Sequence, residues 1–287
     1  KIYQTIKRQK GLIVNLDEEG AVDYPDNSTL SRRYAEGLFE NSSAIFLWGE
    51  RQYQLIDKLI KDHSKVKVTG HPRFELLKPE FHELYQSEVN ELRNKYGNFI
   101  LINTNMGSGN NIKGDEFILE NYGPRFKNIK QIVEFDKLKL QSYVSLAKKL
   151  SKQVNLPIIF RPHPEENIET YARAFTGFPS INVIFEGSAV QWLLAAGLMI
   201  HPDCTTGIES LFLGKKPIAY LPENYDASLV TKLPLLASSV FTDEDEVLQF
   251  IAEQDYKAES VEIESYEFAL HYFSMHKKSS EQITKHI

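Results

Sequence analysis

The apolar residues of this chain fall into short runs that are separated by longer segments of mixed character. The runs are rich in β-branched residues and do not alternate strictly between apolar and polar positions, which is typical of strands buried on both faces. They predict eight strands, at 11–16, 44–49, 66–70, 99–104, 156–162, 181–186, 197–202 and 216–221.

The segments between these runs have the periodicity of helices. The clearest examples are 31–42, 50–63, 136–154, 188–196 and 205–214, and the chain from Asp243 onward is also helical in pattern. Alternation of strands and helices predicts an α/β fold with parallel sheets and helices on both faces. The segment 106–134 is polar and glycine-rich, and we expect it to be a long loop of the kind that is often functional or mobile.

The polar, charged segment 77–98 lies between two strand–helix runs and predicts the connection between two Rossmann-like halves. We therefore expect an N-terminal domain at 1–95 and a C-terminal domain at 96–265. A final helix at 266–287 is expected to pack back on the first domain.

Composition narrows the class of protein. The 287 residues are 42% hydrophobic and 25% charged, with a net charge of -6, which does not suggest a nucleic-acid-binding protein. The single cysteine, Cys204, excludes an intrachain disulfide and favours a reducing compartment. No apolar run approaches the roughly 18 residues of a membrane span, and no signal peptide is visible. We expect a cytoplasmic protein.

Ligands of open α/β sheets bind beyond the carboxyl ends of the strands, so the residues there are the candidates for chemistry. The first predicted strand is followed by Asp17, Glu18, Glu19 and Gly20. A carboxylate at this place can act as a general base or nucleophile, and the glycine permits close approach of a sugar. The alternative is a group of acids that favours a helix N-terminus.

Two further strand ends carry weaker signals. His71 and Arg73 follow the third predicted strand, where they are either ligand contacts or part of a solvated turn. Asn103 and Asn105 follow the fourth, and the glycines at 107 and 109 come next. Their amides and backbone N–H groups suit a phosphate or a sugar hydroxyl. These glycines match no Walker or dinucleotide fingerprint, and a flexible loop is the alternative.

The strongest signals lie in the second half of the chain. Arg161, His163 and Pro164 follow the fifth predicted strand, and a rigid turn with two cationic or donor groups suits a phosphate. A second group follows the seventh strand, where a helix is expected to begin, and consists of Thr205, Thr206, Gly207 and Glu209. The threonines either point at a bound anion or form a plain N-cap.

One residue of the second group has two interpretations, since Glu209 can reach a nucleotide ribose or act as a dipole-favoured acid. Cys204 lacks a flanking base, which makes it a poor nucleophile candidate. The spacing of His163 and His201 fits no compact zinc motif, so no metal is expected.

The order of these motifs resembles that of the GT-B glycosyltransferases. The pattern RPHP at 161–164, followed by DCTTGIESLFLGKKP at 203–217, is similar to their donor-binding domain and, more loosely, to that of sugar-nucleotide epimerases. Bacterial sialyltransferases and Kdo transferases share an acidic pair with a glycine (here 18–20), a His-Pro motif (163–164) and a Ser/Thr pair (205–206). The DEEG form also resembles the surface carbohydrate biosynthesis proteins.

This resemblance, which covers residues from about 10 to 225, implies a transferase with a cleft between an acceptor-side domain and a nucleotide-sugar-binding domain. The donor would be a CMP-activated nonulosonic acid, such as Kdo or a sialic-acid relative, without a further cofactor or metal. The residues implied to bind the donor are Asn103, Asn105, Arg161, His163, Pro164, Thr205, Thr206, Gly207 and Glu209.

The same resemblance assigns roles in the first domain. Glu19 or Glu18 would act on the reacting centre together with His163. Asp17, Gly20, His71 and Arg73 would contact the acceptor or the sugar. The acceptor would be a surface polysaccharide or glycolipid, and a lipid-linked acceptor is compatible with peripheral association at the inner face of the membrane.

The chain departs from the pattern at its start, because GT-B N-terminal domains have several strands before the acidic motif. We therefore expect the first domain either to be incomplete in this sequence or to be unusually small. Three alternatives stay open: a CDP-polyol phosphotransferase of the teichoic-acid type, a UDP-sugar epimerase, and a non-catalytic nucleotide-sugar-binding module.

Overall fold

The computed structural model of the chain describes residues 2–20, 23–27, 30, 34–124, 126–263, 266 and 278–287. The chain forms two compact units. Unit 1 comprises residues 1–81 and 262–287, and unit 2 comprises residues 82–261. The expected domain boundaries lie at 95/96 and 265/266. Unit 2 begins before the first of these boundaries and ends before the second.

Unit 1 is built on a parallel sheet of three strands in the order β1 (Val14–Leu16), β2 (Ala44–Leu47) and β3 (Val66–Val68). Its core joins apolar residues of the strands to the helix after β2, with Ile45, Leu47 and Ile56 buried together. The α-helices in the described part of this unit are Ile2–Arg8, Leu38–Asn41, Glu50–Ile56, Pro72–Glu75 and Ser279–Thr284.

Two predicted helices of unit 1 fall partly outside the described residues. The predicted helix 31–42 includes 31–33, which lie outside them, and the helix described there is Leu38–Asn41. Likewise, 267–277 lie outside the described part of the predicted helix 266–287. The helix Ser279–Thr284 contacts the segment after β3, since the backbone N–H of Ser280 donates to Glu75 Oε2 at 2.9 Å.

Unit 2 contains a parallel sheet of six strands in the order β6-β5-β4-β7-β8-β9. The strands are β4 (Ile100–Asn103), β5 (Ile158–Arg161), β6 (Ile181–Val183), β7 (Leu198–His201), β8 (Ile218–Tyr220) and β9 (Ser239–Phe241). This is the doubly wound order, in which the direction of strand addition reverses between the first and fourth strands, here β4 and β7. The predicted α/β fold is confirmed, and β9 is an additional strand.

The α-helices of unit 2 lie on both faces of this sheet and are Gln86–Tyr96, Asp115–Tyr122, Ile129–Gln153, Ile168–Ala174, Ala189–Ala195, Thr205–Phe212, Lys232–Leu236 and Glu244–Glu253. The prediction of a loop over 106–134 was wrong in its second half, because a helix begins at Asp115 and another at Ile129.

The 25-residue helix Ile129–Gln153, which we call the long helix, packs against the sheet in the core of unit 2. Its Tyr143 and Leu146 are fully buried against Ile102 and Phe160 of the sheet. Each large apolar side chain buried in this way stabilises the fold by roughly 1.5–3 kcal/mol. On the opposite face, Trp192 packs edge-on to Phe99, so both sides of the sheet are covered.

The helix Thr205–Phe212 approaches the end of β7 closely because residue 207 is a glycine. A Cβ added to Gly207 would lie 2.3 Å from Nε2 of His201, whose side chain is fully buried. The ring has no space to move, so an added methyl group would displace the helix.

We therefore expect Gly207→Ala to lower the free energy of unfolding by about 1–3 kcal/mol, as overpacking of a rigid core does. Thr205→Ala, on the first turn of the same helix, is the control, with an expected change within about 0.5 kcal/mol. Urea denaturation followed by circular dichroism measures both, and equal effects would contradict the close approach at Gly207.

Candidate functional site

The carboxyl ends of β4 and β7 form the point in unit 2 where the strand order reverses, which is where doubly wound sheets bind ligands. The loop after β4 and the loop after β7 are joined there, since Asn105 Nδ2 donates to Asp203 Oδ1 at 2.9 Å. Asn103 is 3% exposed, and its side-chain amide has no hydrogen-bond partner among the described residues. A buried amide of this kind is available to a ligand or to water.

A buried carboxylate, Glu166, ties the loop after β4 to the loop after β5. It accepts hydrogen bonds from Thr104 Oγ1 at 2.8 Å, from the backbone N–H of Met106 at 2.9 Å and from that of His163 at 3.1 Å. The Tyr171 hydroxyl donates to its second oxygen. Burial raises the pKa of Glu166, although all four donors favour its ionised form.

A buried ammonium group links the same loops to the long helix. Lys139 Nζ lies 2.9 Å from Asp136 Oδ1 and 3.3 Å from Asp203 Oδ1, and these three side chains are almost fully buried. Asp136 in turn accepts the backbone N–H of Ser108 at 3.0 Å. The Lys139 cluster (Lys139, Asp136 and Asp203) therefore holds the glycine-containing loop and the loop after β7 in fixed positions.

The charges of this cluster stabilise one another. Burial alone would lower the pKa of Lys139, but the two carboxylates outweigh it and raise that pKa above its ordinary value. Burial alone would likewise raise the pKa of Asp203. Lys139, the Thr231 backbone N–H and Asn105 reverse this, so that its pKa is lowered.

The helix Thr205–Phe212 begins directly beyond β7, and its first turn is held by His201. The Cys204 backbone N–H donates to His201 Nδ1 at 3.2 Å, so the neutral ring carries its proton on Nε2, which lies 2.8 Å from Ser238 Oγ. Burial lowers the pKa of His201 to about 4, so the ring is neutral near pH 7. Thr205 and Thr206 are half-buried at this helix N-terminus, whose N–H groups favour anions.

Cys204 is a buried neutral thiol at the same helix start. Burial raises its pKa to about 11, and its sulfur accepts the Thr206 hydroxyl at 3.2 Å. It is therefore a poor nucleophile, as its sequence context indicated.

The predicted site residues at the end of β5 divide between exposed positions and positions that bind the backbone. His163 is exposed, and its Nδ1 accepts the Glu165 backbone N–H at 3.3 Å. A Cβ added to Gly107 would lie 3.8 Å from the same nitrogen, so the loops after β4 and β5 meet at this point. Arg161 instead donates through Nη2 to the carbonyl groups of Glu186 and Gly187, at 3.2 and 2.6 Å, and thereby shapes the loop after β6.

The other two predicted donor residues differ in exposure. Glu209 is 4% exposed and interacts electrostatically with Arg161 and Tyr85. Pro164 is exposed beside His163.

The strand ends of unit 1 form a second polar site. Asp17 is buried and accepts hydrogen bonds from the Tyr34 hydroxyl at 2.8 Å and from Gln52 Nε2 at 2.9 Å. The Trp48 indole N–H donates to the Asp17 carbonyl at 2.5 Å. Gly20 leaves room for Gln52, whose side chain would lie 2.5 Å from an added Cβ. This packing fixes the backbone that carries the next two acids.

Glu18 and Glu19 each face a different cationic or donor group. Glu18 Oε2 lies 3.6 Å from Nε2 of the buried His71. Glu19 Oε1 lies 3.8 Å from Nη1 of Arg73, and its backbone N–H donates to Asp17 Oδ1 at 3.0 Å. The predicted first-domain residues therefore lie together at the carboxyl edge of the three-stranded sheet.

The sequence motifs do not predict the residues that organise these sites, above all Glu166, Tyr171, Lys139 and Asp136. A signal existed for two of them. Asp136 and Lys139 lie on the buried stripe of the long helix, where a charged pair at i,i+3 is unusual. Tyr171 and Glu166 have no comparable signal, since an acid in a turn is ordinary.

In the described parts of the chain, no group of three or more His, Cys, Asp or Glu side chains is placed to hold a metal ion. Over the same residues, no helix is long and apolar enough to cross a membrane.

No protein-family model matches the chain, and no curated protein matches its sequence. Solved structures of GT-B type resemble its fold. The wall teichoic acid polymerase TagF matches with a TM-score of 0.54 and 11% identity, over 98% of this chain and 67% of that one. UDP-GlcNAc 2-epimerase from Methanocaldococcus jannaschii also has a TM-score of 0.54, with 12% identity, over 93% of this chain and 71% of that one.

Structures of the same neighbours with ligands are also similar. A TagF variant soaked with CDPG matches with a TM-score of 0.52 and 10% identity, over 91% of this chain and 57% of that one. The epimerase in complex with UDP-GlcNAc and UDP matches with a TM-score of 0.51 and 12% identity, over 99% of this chain and 77% of that one. At identities of 10–12%, these structural similarities show the fold alone. The chain spans little more than half the length of the CDPG-soaked polymerase.

The Lys139 cluster gives a direct test of what holds the site. Lys139→Met leaves two buried carboxylates without a cation, so we expect it to lower the free energy of unfolding by about 3–5 kcal/mol. Lys137→Met is the matched control, because Lys137 lies two residues earlier on the same helix and pairs with Asp115 and Glu134 near the surface. Its expected loss is at most about 1 kcal/mol. Urea denaturation measures the free energy of unfolding of the two variants. Similar losses of stability in both would contradict the role of Lys139.

The same cluster predicts a dependence on pH. Because the pKa of Asp203 is lowered in the folded chain, its contribution to stability is complete above its unfolded pKa of about 3.9. That contribution is lost as the pH falls through the lower folded pKa. We expect the free energy of unfolding of the wild type to fall below about pH 4, and that of Lys139→Met to fall less. Parallel curves for the two proteins between pH 2 and pH 6 would contradict this.

Proposed function

We propose that the chain belongs to a nucleotide-sugar-using enzyme and that unit 2 binds the nucleotide donor. The observation that carries this proposal is the convergence of three loops at the reversal point between β4 and β7. An exposed imidazole (His163), an unpaired buried amide (Asn103) and the N-terminus of the helix Thr205–Phe212 are held there by the Glu166 and Lys139 connections. Donors of this kind suit a phosphate group.

The finer proposal is a glycosyltransferase whose donor is a CMP-activated nonulosonic acid and whose acceptor belongs to a surface polysaccharide or glycolipid. A carboxylate of the acidic site, Glu18 or Glu19, would accept the proton of the acceptor hydroxyl. The acceptor oxygen would bond to the anomeric carbon, and the bond to the phosphate oxygen would break, with CMP leaving with the electron pair. Hydrogen-bond donors around the phosphate would stabilise that leaving group.

Two alternatives are supported by the structural neighbours. The likeness to TagF, including its structure with CDPG, favours a phosphotransferase that uses a CDP-activated polyol. The likeness to the epimerase in complex with UDP-GlcNAc and UDP favours a UDP-sugar enzyme. These candidates differ in the nucleotide that unit 2 would bind, so nucleotide affinity separates them.

Isothermal titration calorimetry with CMP, CDP, UMP and UDP tests the proposal. We expect selective CMP binding by the wild type. His163→Ala should weaken it about tenfold to a hundredfold, the effect of one hydrogen bond to a charged group. His63→Ala is the control, since it removes an exposed imidazole that precedes β3 and should leave CMP affinity unchanged.

Each other outcome points elsewhere. A preference for CDP would replace the CMP-sugar donor by a CDP-polyol, and a preference for UDP would favour the epimerase type. Absence of binding to all four nucleotides would contradict the assignment of unit 2 as the donor site.

A further inference from the structure

His71 occupies an unusual position at the end of β3. Its side chain is 5% exposed, and its Nδ1 accepts the backbone N–H of Arg73 at 3.1 Å. The neutral ring therefore carries its proton on Nε2. The ring packs against those of Trp48 and Phe74, with centroids at 5.6 and 6.4 Å, which fixes the direction of the Nε2–H bond.

The Nε2–H group is buried and has no hydrogen-bond partner among the described residues. A buried donor left unpaired costs about 1–3 kcal/mol, so its position demands an acceptor. The carboxylate nearest to it is that of Glu18, with Oε2 at 3.6 Å, slightly beyond hydrogen-bond distance. The Glu18 side chain is 72% exposed, so a small rotation brings the two atoms into contact.

The neighbouring acids are held differently. Glu19 is ion-paired with the permanently charged guanidinium of Arg73, at 3.8 Å. Asp17 is buried and committed to Tyr34 and Gln52. Of the three acids, Glu18 alone is both exposed to solvent and adjacent to a neutral buried donor, the Nε2–H group of His71.

We propose that His71 is a positioning residue that orients Glu18, and that Glu18 rather than Glu19 is the base in transfer. This inference rests on the proposed function. The His71 Nε2–H donates to one carboxylate oxygen, which leaves the other to accept the proton of the acceptor hydroxyl. The new bond then forms from the acceptor oxygen to the anomeric carbon, and the nucleotide phosphate departs with its electron pair.

The pairing itself is measured without any substrate. Protein labelled with ¹³C and ¹⁵N at histidine reports the tautomer and the pKa of His71 by NMR, and His71→Gln identifies its signal. We expect the Nε2–H tautomer. Burial lowers the pKa of His71, Glu18 and Asp17 act to raise it, and Arg73 acts to lower it. Glu18→Gln should therefore lower this pKa further, whereas the isosteric Glu19→Gln should leave it unchanged. Equal effects of the two variants, or an Nδ1–H tautomer, would overturn the pairing.

The role in transfer is measured by release of CMP from a CMP-activated sialic acid. We expect Glu18→Gln to lower kcat by about a hundredfold or more, the usual effect of removing a general base, and Glu19→Gln to lower it by less than about tenfold. Among His71 variants, Gln places an N–H near the position of Nε2, whereas Asn places an acceptor near Nδ1.

If His71→Gln retains kcat and His71→Asn loses it, with KM unchanged in both variants, the result supports positioning of Glu18 by the Nε2–H group. The reverse order would mean that His71 only supports the backbone of Arg73, and would overturn the proposal. If the wild type neither binds a nucleotide nor releases CMP, the proposed function fails, and the NMR measurement still decides whether His71 and Glu18 are paired.

Discussion

The candidate donor site depends on one buried ammonium group. Lys139 projects from the long helix between two carboxylates, one of which holds the loop after β4 and the other the loop after β7. A charge buried in this way is tolerated only when it is fully paired. The attraction that satisfies Lys139 therefore also determines where Ser108 and Asn105 lie, and with them the polar groups that face a ligand.

Much of the fold could be predicted from the pattern of apolar runs. All eight predicted strands are present, because a strand buried on both faces leaves a continuous apolar run that few other structures produce. The strand Ser239–Phe241 has no such run, since only Val240 and Phe241 are apolar between two serines and a threonine. The helix Asp115–Tyr122 is not predicted by the pattern, because its flanking glycines and polar residues resemble a turn-rich segment.

The site could be predicted less fully, for a physical reason. Parallel strands end at one edge of the sheet, so the polar residues that follow them lie at that edge, and Asn103, His163 and Thr205 each lie at the end of a strand. The residues that hold the loops in place act through contacts across long sequence separations, such as Thr104 with Glu166 and Lys139 with Asp203. No local spacing records such contacts. The hydrogen bonds from Arg161 to two backbone carbonyl groups are of the same kind.

The long helix affects the conformational entropy that ligand binding would cost. Its 25 residues span about 37 Å at a rise of 1.5 Å per residue, and near its far end Lys149 pairs with Glu244 and Asp245. Loops anchored to such a rigid rod keep their arrangement before any ligand arrives. Binding then avoids much of the ordering entropy that a flexible loop loses, about 0.5–1.5 kcal/mol for each immobilised side chain. Discrimination among ligands would come from fit to a preorganised surface rather than from rearrangement of that surface.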